Sequence, residues 1–149
     1  MRLSFKSDYA LRALLYLAHR HQSRQLVPLN QISDAEQIPF PYLEQIMLQL
    51  KKYGWVDSKR GNGGGYFLVQ HPTLITIGAV VRHLDGPVDP DAGLPGHRAQ
   101  ASADQRAIRE VWAEVTRSIA HVVDVVTFAD LMQRSDELNQ TTDVFDYTI

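Results

Sequence analysis

The sequence predicts a mainly α-helical fold with a small β-hairpin wing, a winged helix-turn-helix continued by a long C-terminal helix. Three observations carry this. Two short helical patterns are split by Pro39-Phe40-Pro41, which no continuous helix tolerates, because proline removes a donor and restricts its predecessor. A glycine cluster, Arg60-Gly61-Asn62-Gly63-Gly64-Gly65, separates two strand-like runs. From Ser102 to about Asp124 an apolar stripe recurs at steps of three and four.

The first helix is expected over Ser7–His19, where Tyr9, Ala10, Ala13, Leu14, Leu17 and Ala18 share one face and Ser7 or Asp8 caps the start. His21–Val27 is polar and reads as a loop. Leu29–Ile38 is a short second helix. The third runs from Pro41, as its first residue, to Tyr53; Leu43, Ile46, Met47 and Leu50 form its apolar stripe, and Gly54 caps it. Strands are expected at Trp55–Lys59 and Tyr66–Val69. Thr76 caps a helix to Leu84 that Asp85-Gly86-Pro87 stops. Residues 86–101 are rich in Gly, Pro, Asp and Ala and read as a loop. Ser102 and Gln105 make a capping box for the long helix. Thr127 caps a last short helix to Arg134, and 135–149 is a tail with no assigned structure. The expected organisation is 1–85, 86–101, 102–134 and 135–149.

At 149 residues the chain buries a core without cross-links, and with no cysteine it has no disulfide, thiolate ligand or cysteine nucleophile. No apolar run is long enough to span a membrane, and the start lacks a signal-peptide core, so a cytoplasmic location is expected. The net charge is −2, but it is unevenly spread: nine Lys/Arg against five Asp/Glu in residues 1–70, six against twelve in 71–149. A basic first half suits a polyanionic partner.

The order helix, turn, helix, glycine-tipped hairpin suits double-stranded DNA, because an α-helix fills the major groove. Glu44 and Gln45 lie near the start of the third helix, where a recognition helix meets base edges; Glu accepts from cytosine and Gln bonds adenine. Lys59 and Arg60 flank the glycines of the tip, where small residues let the backbone approach phosphates or the minor groove. The candidate DNA-binding set is Arg2, Lys6, Pro41, Tyr42, Glu44, Gln45, Lys51, Lys59, Arg60, Asn62, Gly63 and Gly64. Ile108, Val111, Trp112, Val115, Ile119 and Val122 make a stripe wider than packing on one small domain requires, so a homodimer through this helix is expected.

Met1-Arg2-Leu3-Ser4 with Asp8-Tyr9-Ala10-Leu11-Arg12-Ala13-Leu14, Pro41-Tyr42-Leu43-Glu44-Gln45-Ile46 with Leu50-Lys51-Lys52-Tyr53-Gly54, and the wing Arg60–Leu68 together resemble the bacterial regulators of the IscR, NsrR and CymR family. The resemblance spans roughly residues 1–134. It implies dimers packed through the long helix, and base contacts from Glu44 and its neighbours and from Arg60. Many members of that family hold an iron–sulfur cluster on three cysteines. The corresponding positions here are Ala92, Ala99 and Arg106, with Asp8 at a carboxylate position that some members use as a fourth ligand. Clusters need soft thiolates, so no cofactor and no metal site is expected. His97, Asp89 and Asp91 have donor atoms for a harder ion, but a solvated loop is the expected reading. The sensor is lost, replaced by a small-molecule response, or its cysteines have been substituted.

An enzyme is not expected, since no nucleophile–base set appears and the glycine loop lacks the Lys-Ser/Thr of a phosphate-binding loop. The expected function is a sequence-specific transcription regulator, a repressor, acting as a homodimer. The alternatives are a winged-helix protein–protein interaction module, or a regulator sensing a small molecule in a pocket near the dimerisation helix.

Overall fold

The computed structural model describes residues 4–87 and 102–146, with side chains to residue 141. Helix α1 spans Phe5–Ala18. Its cap is Ser4, whose extended backbone lets the hydroxyl accept from the Ser7 amide at 3.1 Å. The expected cap at Ser7 or Asp8 therefore lies inside the helix, and Ser7 is fully buried. Helix α2 is Leu29–Glu36, ended by Gln37 in the left-handed region at φ 50°. Helix α3 is Phe40–Lys52, so Pro41 is its second residue rather than its first. Gly54, at φ 78°, lets the chain leave α3: its amide bonds Lys51 O, and the Trp55 amide reaches back to Leu50 O, closing a Schellman motif.

The wing pairs β1 (Val56–Lys59) with β2 (Gly65–Leu68) in antiparallel register, Val56 opposite Leu68 and Lys59 opposite Gly65. A third backbone segment joins it. Val27, expected in a loop, exchanges hydrogen bonds with Tyr66 at 2.9 and 2.8 Å. A Cβ on Gly65 would stand 2.5–2.8 Å from the Val27 backbone, so only glycine permits this approach.

A 3₁₀ turn at Pro72–Leu74, not anticipated from the sequence, leads to α4 (Ile77–Asp85). The caps expected at Thr76 and at Ser102 with Gln105 are present. Helix α5 is Ala103–Val125, and α6 is Phe128–Asp146. The short helix expected to stop at Arg134 thus continues through most of the unassigned tail. Residues 135–146 contain no Gly or Pro, and the Gln133 amide donates to Glu137 one turn on.

The core is one cluster in which Leu14, Leu17, Ile32, Leu43, Met47 and Leu50 meet Ile75 and Phe128. Phe128 is fully buried, which stabilises the fold by about 1.5–3 kcal/mol. Its amide bonds Ile75 O at 3.0 Å, and the Ile77 amide bonds Val126 O at 3.1 Å. The chain therefore returns from α5 into the same core that supports α3. Helix α5 differs: it has no buried residue along its 23 positions, and an Arg82–Asp124 ion pair fixes its C-terminal end to α4.

Candidate nucleic-acid interface

Helix α3 buries Leu43, Ile46, Met47 and Leu50 and turns the rest of its surface outward. Pro41, Tyr42, Glu44 and Gln45, all expected at the interface, are exposed together on its first turns. Leu48, not anticipated, shares this outer surface at 63% exposure. The helices beside it are tied to each other, and its C-terminal end is anchored to α4. Arg12 of α1 donates to Glu36 O at 2.8 Å and pairs with Asp8 at 3.1 Å, tying α1 to the end of α2. At the other end the Tyr53 hydroxyl donates to His83 O at 3.1 Å, and its ring meets Trp55 and His83.

Lys51, expected among the DNA-binding residues, is already engaged within the fold. Its Nζ lies 2.8 Å from Asp57 Oδ1 and 2.9 Å from Ser58 Oγ, both on β1. The Lys51 hydrogen bond, with help from the Ser58 amide, holds the Asp57 carboxyl below its ordinary range. The Asp57 carboxylate is thereby favoured in its charged form, and its pairing with Lys51 ties β1 to the end of α3. Lys59, Arg60 and Asn62 remain exposed at the hairpin end, beside Gly63 and the half-buried Gly64. Among the described residues, neither Lys59 nor Arg60 forms an ion pair.

Lys6 is also engaged: its Nζ sits 2.5 Å from Leu84 O, at the negative end of α4. Next to it, the Ser4 hydroxyl donates to Asp85 at 2.6 Å. Partial burial raises the Asp85 carboxyl, but the Ser4 hydrogen bonds and the Lys6 charge outweigh it and hold it below the usual range. Between α1 and α3 lies a cleft of about 380 Å³ lined by Phe5, Lys6, Tyr9, Tyr42, Gln45 and Gln49. Phe5 is 77% exposed there, a feature no periodicity in the sequence signals. Arg2, Asp89, Asp91, Ala92, His97 and Ala99 lie outside the described residues.

The expected dimerisation residues form an open stripe. Ile108, Val111 and Val122 are 58%, 61% and 59% exposed, Trp112 is 43% and Val115 37%, and Ile119 is half-buried. Among the described residues, no helix is long and apolar enough to cross a membrane.

Residues 3–134 match the family described as Rrf2, iron-dependent transcriptional regulator. The chain is 35% identical over 138 residues to the HTH-type transcriptional regulator IscR of Yersinia enterocolitica, a match covering 93% of this chain and 83% of that one. It is similar in structure to CymR, the global cysteine regulator of B. subtilis, with a TM-score of 0.76 and 31% identity, covering 90% of this chain and 98% of the other. It is likewise similar to IscR of T. potens, with a TM-score of 0.77 and 31% identity over 93% of this chain and 90% of that one. These relatives are transcription regulators, not enzymes, and their fold is the winged helix expected from the sequence.

The donor set does not fit an iron–sulfur cluster. The chain has no cysteine, the Asp8 carboxylate is paired with Arg12, and Arg106, at a position where the resemblance places a thiolate in other members, presents a cation on the first turn of α5. Among the described residues no three His, Asp or Glu side chains converge on one point.

Proposed function

The chain belongs to the Rrf2 family of transcriptional regulators, and from that premise we propose that it is a sequence-specific DNA-binding repressor that acts as a homodimer in the cytoplasm and needs no iron–sulfur cluster. The observation that carries the reading is the division of α3 into a buried stripe and an exposed opening face, with the cationic wing tip braced beside it by Lys51, Asp57 and Ser58. In this reading α3 enters the major groove. Glu44 accepts from a cytosine amino group, Gln45 bonds adenine, and Tyr42 packs on the groove wall. Arg60 reaches base edges or the minor groove from the wing, and Asn62, Gly63 and Gly64 let the tip approach the backbone. Lys59 supplies attraction to phosphates. Lys51 and Lys6 orient the wing and α1, and Arg2 precedes that anchored end.

The dimer reading rests on α5. A helix with an apolar stripe and no buried residue leaves that stripe in water unless a second copy covers it. Ile108, Val111, Trp112, Val115, Ile119 and Val122 are the residues that a partner helix would cover. At 23 residues the helix is about 35 Å long, which matches two half-sites one helical turn apart. Without cysteine ligands, a change in the dimer or in the wing sets DNA affinity, and repression follows from occupying a promoter.

The test is binding to duplex DNA at increasing salt. The reading expects affinity to fall steeply and linearly on a logarithmic scale, as phosphate-bound counterions are released. Salt-independent binding, or none by a folded protein, defeats it and favours a protein-interaction module.

A further inference from the structure

We propose that the cleft between the end of α1 and the outer face of the wing is a binding site for a small amphipathic organic anion, a phosphate or carboxylate carried on an apolar body. The cleft encloses about 480 Å³, within the range of about 300–1,000 Å³ that small-molecule sites occupy. Among the described residues three cations border it, Arg20 and Arg24 from the segment after α1 and Lys59 from β1, and no acidic residue does. Among the described residues none of the three forms an ion pair, although the chain as a whole is acidic.

One of these cations is already fixed in place. The Arg20 guanidinium lies 3.6 Å from the centre of the Tyr16 ring and donates from Nη1 to Tyr16 O at 2.8 Å. The Tyr16 hydroxyl in turn accepts from Gln31 at 2.9 Å, so the platform beneath the arginine is anchored to α2. A guanidinium held this way retains donors for an anion and loses little freedom on binding one. Arg24 sits at φ 51°, in the left-handed region that few side-chain-bearing residues adopt, within the turn that brings it to the cleft.

The other wall is apolar: Leu17, Leu26, Phe67 and Val69 line the same space. This composition separates the site from a surface for backbone phosphates, which needs charge without an apolar wall. An occupant would touch Lys59 and Phe67–Val69 of the hairpin, so ligand and wing share residues. The site is argued from the free protein and does not rest on the DNA-binding reading, although Lys59 belongs to both surfaces.

The experiment follows backbone amide NMR shifts of the DNA-free full chain on titration with phenyl phosphate, with phenol and inorganic phosphate as separate probes. The proposal expects saturable shifts at Arg24–Leu26 and Phe67–Val69, and tighter binding of phenyl phosphate than of either part. Arg24→Gln, an exposed change that leaves the core untouched, weakens binding by about tenfold, the scale of one hydrogen bond to a charged group. No saturable shift at millimolar phenyl phosphate overturns the proposal. So does equal affinity for inorganic phosphate, which marks a merely cationic surface, or an unchanged affinity in folded Arg24→Gln. If duplex DNA shifts the same amides and phenyl phosphate fails to bind them, the cleft is a backbone contact and the proposal falls while the DNA-binding reading stands.

Discussion

Replacing Gly65 with alanine tests how the wing is held. Gly65 lies at an ordinary negative φ, so alanine introduces no backbone strain; the conflict is steric. The new Cβ would stand 2.5, 2.6 and 2.8 Å from the carbonyl carbon, oxygen and nitrogen of Val27, all backbone atoms that cannot rotate away. The hairpin must move off Val27, and the two hydrogen bonds between Val27 and Tyr66, at 2.9 and 2.8 Å, are stretched or lost. Two such bonds contribute about 1–3 kcal/mol together. Residual overpacking brings the expected cost to about 2–4 kcal/mol. For a chain of this size that lowers Tm by about 5–15 °C. Gly61→Ala is the control: its φ of 102° makes alanine strained, but among the described residues no atom beyond its chain neighbours would stand within 4 Å of the new Cβ, so its cost is about 1–3 kcal/mol of local strain with Val27 undisturbed. Calorimetry gives Tm, and amide hydrogen exchange at Val27 and Tyr66 reports the bridge. Duplex affinity, measured where each variant is folded, falls several-fold for Gly65→Ala because Arg60 loses its bracing. A Tm drop under about 2 °C with both amides still protected would refute the claim that Val27 holds the wing.

Three further outcomes are expected. Val115→Glu leaves the protomer folded, because Val115 is 37% exposed in it, yet shifts sedimentation at micromolar concentration from dimer to monomer by placing a charge in the proposed interface. Arg60→Ala weakens operator binding by about 1–3 kcal/mol if it makes a bidentate base contact, whereas Glu44→Ala relaxes sequence preference more than it reduces overall affinity; competition assays with operator and random duplexes separate the two. Asp85→Asn tests the clasp between α1 and α4: because folding lowers this carboxyl, its stabilisation is present above about pH 4 and is lost as pH falls through the folded value, so variant and wild type differ in urea midpoint at pH 7 and the difference narrows as pH falls below about 4.

Much of the fold was legible because its signals are local. Pro39 and Pro41 break one helix and permit another, Thr76 and Ser102 cap with their own side chains, and the apolar spacing of α3 marks its inner face. Features that depend on distant partners were not legible. Nothing near Val27 announces that Tyr66, 39 residues on, will pair with it, or that the Gly65 position is small for that reason. The cap of α1 was displaced because Ser4, Ser7 and Asp8 are chemically equivalent as caps, and burial of Ser7 decides among them. The interface shows the same division. Exposure of Glu44 and Gln45 follows from helical period, whereas the engagement of Lys51 with Asp57 and of Lys6 with Leu84 follows from tertiary placement. The cleft beneath Arg20 has no sequence signature, because its walls come from three separate segments.

The central claim, a dimer that reads duplex DNA with α3 and the wing, is tested most directly by selecting bound sequences from a random duplex pool and aligning them. The account predicts enrichment of a two-fold symmetric motif with half-site centres about 10 base pairs apart, or a whole number of turns, and a broadened motif for Glu44→Ala. No enrichment by the folded protein, or a single asymmetric half-site bound by one protomer, would contradict it.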